Sequence, residues 1–181
     1  MYIMVYMLLA DGFEEIEAIA PLDLLRRRNI AVQTVGIGNS KTVTGSHDIP
    51  IIADILIDEA VEKIEMLILP GGLPGTTNLD NSSKVQALID RAIEEGAYIA
   101  AICAAPSILG KRGLLSGREA ISYPSFQKYL SGAKISDRKV VRDEKFITAI
   151  GAGAAVDFGL ALIEALQSPE AAAQIKSAIQ A

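Results

Sequence analysis

The 181-residue chain has one cysteine, and the residues around it fit a nucleophile turn. Cys103 closes the apolar run Ala97-Tyr98-Ile99-Ala100-Ala101-Ile102 and is followed by Ala104, Ala105 and Pro106. The run has the length and composition of a strand covered on both faces. Proline is tolerated in the first turn of a helix, where its missing N–H costs nothing, so Pro106 marks a helix start. Cys103 therefore falls at the join. A side chain on a tight strand-to-helix turn needs small neighbours two positions away, and Ala101 and Ala105 supply them as glycines do around a serine nucleophile. Spacing alone leaves two readings open. One is a reactive thiol whose pKa is lowered by the positive end of the helix; the other is an inert thiol of the core, as free cysteines commonly are.

Two further stretches carry groups that such a thiol would use. Asp11-Gly12-Phe13-Glu14-Glu15-Ile16-Glu17 follows the first apolar run and delivers acids, with Glu14 the first choice of partner and Glu15 the second. Burial beside a thiolate would raise the pKa of such an acid and make it a hydrogen-bond donor. Glu14 also reads simply as a solvated residue at a helix start. Pro70-Gly71-Gly72-Leu73-Pro74-Gly75 is a loop whose glycines let backbone N–H groups face a ligand. With the N–H of Ala104, the Gly71-Gly72 turn would form an anion or oxyanion pocket.

The elements that position these stretches alternate between strand and helix. Strands are expected at Tyr2 to Ala10, Ala31 to Gly36, Met66 to Leu69, Ala97 to Ile102 and Phe146 to Ile150. Thr42 to Gly45 and Ile49 to Ala53 read as a side hairpin around Ser46-His47-Asp48, and Lys134 to Ile135 with Lys139 to Arg142 as an exposed hairpin. Helices are expected from about Phe13 to Arg28 with a kink at Pro21, at Asp58 to Lys63, Ser82 to Glu95, after Tyr123-Pro124, at Ala154 to Gln167 and at Glu170 to Ile179. This alternation implies right-handed parallel crossovers and a three-layer α/β/α sandwich in one domain, residues 1–181. Ligands collect at the carboxyl ends of the strands of such a sheet, where all three stretches lie.

Composition narrows the function classes. Half the residues are hydrophobic and 22% are charged, which describes a globular chain. The net charge of −5 offers no footprint for nucleic acid or an anionic membrane, and Arg26-Arg27-Arg28 reads as the C-terminal end of a helix. One cysteine and one histidine leave no internal disulfide and make no zinc site, and no cofactor is implied. Met1 to Ala10 has no cationic leader and is too short to span a bilayer, so a cytoplasmic protein is expected. Gly36-Ile37-Gly38-Asn39-Ser40-Lys41 lacks the later glycine of a dinucleotide fingerprint, which argues against a nucleotide-binding module.

Taken with Phe158 to Leu166, the motifs Asp11 to Glu17, Leu69-Pro70-Gly71-Gly72 and Ala100 to Pro106 resemble the DJ-1/PfpI superfamily over nearly the whole chain. The resemblance implies a flavodoxin-like sandwich, usually dimeric, with Cys103 reactive, Glu14 its hydrogen-bonding acid, and the N–H groups of Gly72 and Ala104 as oxyanion donors. It implies redox sensing through cysteine oxidation, glyoxalase or deglycase chemistry on small 2-oxoaldehydes, or a chaperone role without turnover. Two departures shape the expectation. Ala104 stands where the protease branch has histidine, which sets peptidase activity aside. Tyr123 before Pro124 stands where the DJ-1 branch has a histidine, and a phenol with a pKa near 10 is a poor general base at neutral pH. His47 takes the place of an arginine near the pocket entrance. Gly71, Tyr123 and His47 are the expected substrate contacts, and a small aldehyde or an oxidant the expected reactant.

Overall fold

In the computed structural model, residues 3–181 are described, so Tyr2 of the expected first strand lies outside the described residues. Five parallel strands form the centre: β1 (Ile3–Leu9), β2 (Val32–Gly36), β6 (Lys63–Leu69), β7 (Tyr98–Ile102) and β11 (Phe146–Ala149). The short β5 (Ile55–Leu56) and the antiparallel β10 (Val140–Asp143) form the edges, in the order β10-β11-β7-β6-β1-β2-β5. Beside the sheet lies a hairpin of β3 (Thr42–Thr44) and β4 (Pro50–Ile52).

Strand periodicity of two explains the layers. Val5, Met7, Leu9, Ala100 and Ile102 face one core with α1 (Glu15–Arg27), α5 (Ala155–Leu166) and α6 (Pro169–Ala178). Tyr6, Leu8, Ile99 and Ala101 face the other, with α2 (Gly75–Asn81), α3 (Ser83–Glu94) and α4 (Pro106–Lys111). The expected flavodoxin-like α/β/α sandwich is thus present, with a mostly parallel seven-stranded sheet.

Three local expectations are corrected. Lys134–Ile135 (β9) and Val140–Asp143 (β10) do not form a hairpin: β9 pairs in parallel with β8 (Glu119–Ala120), while β10 pairs with β11. The residues at 57–59 make one 3-10 turn, and Lys63 already belongs to β6. The loop after Gly72 runs into the unexpected helix α2, whose first turn buries Gly75 and Thr76.

Helix α1 carries the acids, and its position depends on α5. A Cβ on Gly159 would lie 2.7 Å from Leu24 Cδ1 and 3.0 Å from the Cα of Pro21, so the two helices meet where a side chain is missing. Gly159→Val should therefore push α1 outward and cost about 1–3 kcal/mol in urea unfolding, the size typical of an overpacked core. An unchanged unfolding midpoint would show that this contact does not set the helix position.

Candidate active site

The turn after β7 delivers the thiol as the spacing predicted. Cys103 adopts φ 64°, a left-handed conformation costly for a residue with a Cβ, and is held there from both sides. Its N–H donates to Ala149 O at 2.9 Å, and its carbonyl accepts from Tyr123 N–H at 2.8 Å. Ala101, Ala104 and Ala105 are buried around it. The N–H groups of Gly72 and Ala104, expected as oxyanion donors, here donate to the sulfur.

The carboxyl that meets the thiol belongs to Glu17, not to Glu14. Glu14 is the N-cap of α1, with extended backbone, and its side chain turns to the pocket mouth. One turn further on, Glu17 shares the buried face of α1 with Pro21, Leu24 and Leu25, and it is 1% exposed. Its carboxylate accepts from Gly71 N–H at 3.0 Å and shares a hydrogen bond with Cys103. An acid at i in an apolar series at i+4, i+7 and i+8 was the signal in the sequence. Gly71 makes the approach possible. A Cβ there would lie 2.5 Å from Glu17 Oε2 and 2.7 Å from Cys103 Cβ.

Electrostatics correct a second expectation. Burial, then the charge of Glu17 and its hydrogen bond, push the Cys103 thiol up to about 12, against the opposing pull of the Ala104 and Gly72 N–H groups. The helix expected to stabilise thiolate is only six residues long, and its N-cap is Ala105, two positions beyond the cysteine. Burial likewise raises Glu17 to about 7, with the charge of Glu14 adding to the rise and the bonds from Cys103 and Gly71 opposing it.

Above the thiol lies a cavity of about 290 Å³. Leu73, Tyr123 and Phe126 line it together with Glu14 and Ser46. Tyr123 and Cys103 line this same cavity. A Cβ on Gly151 would sit 3.6 Å from Tyr123 Cδ2 and 3.8 Å from Cys103 Sγ. His47 stands outside this lining, with its side chain 68% exposed, and meets the acids: Nδ1 lies 3.0 Å from Glu15 Oε2 and 3.6 Å from Glu14 Oε1. Ser46 Oγ bridges the two glutamates at 3.2 and 3.3 Å. Glu14, Glu15 and His47 bring ligand-type atoms within 4.8 Å of one another, and in this structure they pair among themselves.

A thiol on a strained strand-to-helix elbow, beside a buried acid and opening to a small pocket, defines an α/β sandwich with an elbow cysteine. The chain belongs to the DJ-1/PfpI family, whose model matches residues 4–165. Protein dj-1beta of Drosophila melanogaster is 39% identical over 166 residues, covering 90% of this chain and 89% of the relative. The glutathione-independent glyoxalase DJR-1.2 of Caenorhabditis elegans is 31% identical over 162 residues, covering 88% and 86%. Among solved structures, oxidized DJ-1 of Toxoplasma gondii superposes with a TM-score of 0.94 at 31% identity, covering 99% of this chain and 98% of that one. No helix among the described residues is long and apolar enough to cross a membrane.

Two measurements test the Cys103–Glu17 pair. Glu17→Gln removes the charge that opposes thiolate, so the midpoint of pH-dependent Cys103 alkylation should move to lower pH; an unmoved midpoint would uncouple the groups. The stability effect has a definite sign. A carboxyl raised from 4.5 to about 7 by folding gives its full stabilising effect below pH 4.5 and loses it as pH rises to about 7. Across that window the Gln variant should gain about 3 kcal/mol on wild type in urea unfolding.

Proposed function

We propose that this protein captures and isomerises small 2-oxoaldehydes through Cys103, with Glu17 moving the protons. The observation that carries the reading is the buried Glu17 carboxyl, raised to about 7, hydrogen-bonded to a Cys103 thiol that lines the cavity. A base of that pKa is matched to proton transfer at neutral pH. The thiol adds across the aldehyde carbonyl: the S–C bond forms, the carbonyl pair goes to oxygen, and the thiol proton passes through Glu17 to that oxygen. Glu17 then takes the proton from the same carbon and returns it to the neighbouring ketone carbon through an enediol, while the hydroxyl proton on the first carbon moves to the former ketone oxygen. The result is a 2-hydroxy thioester. Water releases the hydroxy acid and the thiol, so the reaction is redox-neutral overall and consumes one water. In this reading the N–H groups of Gly72 and Ala104, which donate to the sulfur, also stabilise negative charge on the substrate oxygen. The similarity to a glutathione-independent glyoxalase supports this class of substrate.

The same pair favours a second reading, oxidation. Attack of Cys103 on one peroxide gives sulfenic acid and on a second gives sulfinic acid, each step releasing water or an alcohol, and a protonated Glu17 would donate a hydrogen bond to the sulfinate. The similarity to an oxidized DJ-1 supports it. Homodimer formation belongs to the same proposal. Ile16, Ile19 and Ile49 expose apolar surface beside Glu15 around a cavity of about 540 Å³, and a second copy of this chain is the occupant the family resemblance implies.

Lactate formation from methylglyoxal tests the first reading. Cys103→Ser should abolish it, and Glu17→Gln should lower kcat by about 10²–10⁴-fold, the range for loss of a general acid–base group. Wild-type turnover no faster than that of the Cys103→Ser variant would refute the enzymatic reading. For the dimer, Ile49→Lys should halve the mass seen in sedimentation, and a wild-type monomer would exclude the assembly.

A further inference from the structure

The walls of the Cys103 pocket differ in chemistry, and that difference bears on which aldehydes reach the thiol. None of its lining residues is Lys or Arg. Glu14 lines the cavity, Glu17 is hydrogen-bonded to the thiol that lines it, and Glu15 shares Ser46 Oγ with Glu14. Against these three acids the mouth sets one imidazole, His47, whose pKa is raised by its hydrogen bond to Glu15 and by the charge of Glu14. Asp48 adds a further acid to that edge. Glu15 stays charged. Its burial alone would raise its pKa, yet His47 and backbone N–H groups hold it down to about 2. The larger side chains of the lining are apolar or aromatic and accessible: Leu73 is 53% and Tyr123 50% exposed, and Phe126 lines the same cavity. The cavity, about 290 Å³, is at the lower limit of small-molecule sites, and a three-carbon aldehyde leaves much of it empty.

We propose that the pocket selects uncharged 2-oxoaldehydes bearing an apolar substituent, which Leu73, Tyr123 and Phe126 receive, while Glu14 turns away analogues bearing a carboxylate or phosphate. Discrimination of this kind comes from a repulsive group as much as from an attractive one. Glu14 is then a specificity residue, which accounts for a carboxylate that faces the pocket without bonding the thiol. The inference rests on the proposed aldehyde chemistry, and capture can be read separately from turnover. Addition of the thiol across the aldehyde carbonyl yields a hemithioacetal with no other reactant.

The test compares 4,5-dioxopentanoate with its methyl ester, two 2-oxoaldehydes that differ in one negative charge, and uses the full chain. Capture is read as protection of Cys103 from iodoacetamide, and turnover as hydroxy-acid formation. The ester should be favoured by about tenfold in both, as one screened like charge at a protein edge gives. Glu14→Gln should bring the ratio towards one, and high salt should lower it in wild type. Phe126→Ala should weaken handling of the ester more than that of methylglyoxal. Equal capture of acid and ester, or a ratio indifferent to Glu14→Gln, would overturn the inference even if turnover is fast. Selective capture without turnover would sustain it and refute the isomerase reading. No protection by any aldehyde would refute both.

Discussion

Everything at this site depends on how closely a carboxyl, a glycine and a thiol approach one another in the interior. Glu17 reaches Cys103 only because Gly71 has no side chain between them. The three residues come from α1, the loop after β6 and the turn after β7, so the contact ties together the ends of three adjacent strands. Burying an ionisable acid is costly unless it is bonded or neutral. Here one N–H and one thiol are the bonding partners, and neutralisation near pH 7 does the rest. The elbow at Cys103 adds backbone strain, which the hydrogen bonds to Ala149 and Tyr123 hold in place.

That arrangement changes what makes the cysteine reactive. Burial and the charge of Glu17 push the Cys103 thiol up, against the pull of the Gly72 and Ala104 N–H groups. In the proposed reaction the thiol proton therefore passes to Glu17 as sulfur attacks. Neutral Glu17 then no longer opposes an anionic sulfur. A nearby base with a pKa near 7 supplies what the short helix α4 does not.

The sequence revealed the parts whose information is local. Pro106, the alanines and the apolar run define the elbow within ten residues, and the alternation of strands with helices carries the layered architecture. What it did not reveal depends on partners distant along the chain. The β8–β9 pair is formed by segments of two residues, too short to show a period. The sign of the cysteine's pKa follows from burial and from an acid on another element. The choice of Glu17 over Glu14 lay in between. Proximity to the end of β1 favoured Glu14, whereas helix phase places Glu17 among Pro21, Leu24 and Leu25. An acid in an apolar stripe is the rarer event and should have carried more weight.

Helix phase also explains why two acids two residues apart behave so differently. Glu15 faces the hairpin, where His47 supplies both its imidazole and its backbone N–H, at 3.0 and 2.8 Å. Charge-assisted bonds of that kind keep it ionised although it is buried. Glu17 faces the thiol, where a single backbone N–H and a weak S–H donor cannot repay the loss of water. Acids of one type thus differ in ionisation through their surroundings: Glu15 is a charge held by His47, and Glu17 is raised towards neutrality beside the thiol. Glu14, at the start of the same helix, is the acid that lines the cavity, so the proposed reactivity and the proposed selection both draw on the first turn of α1.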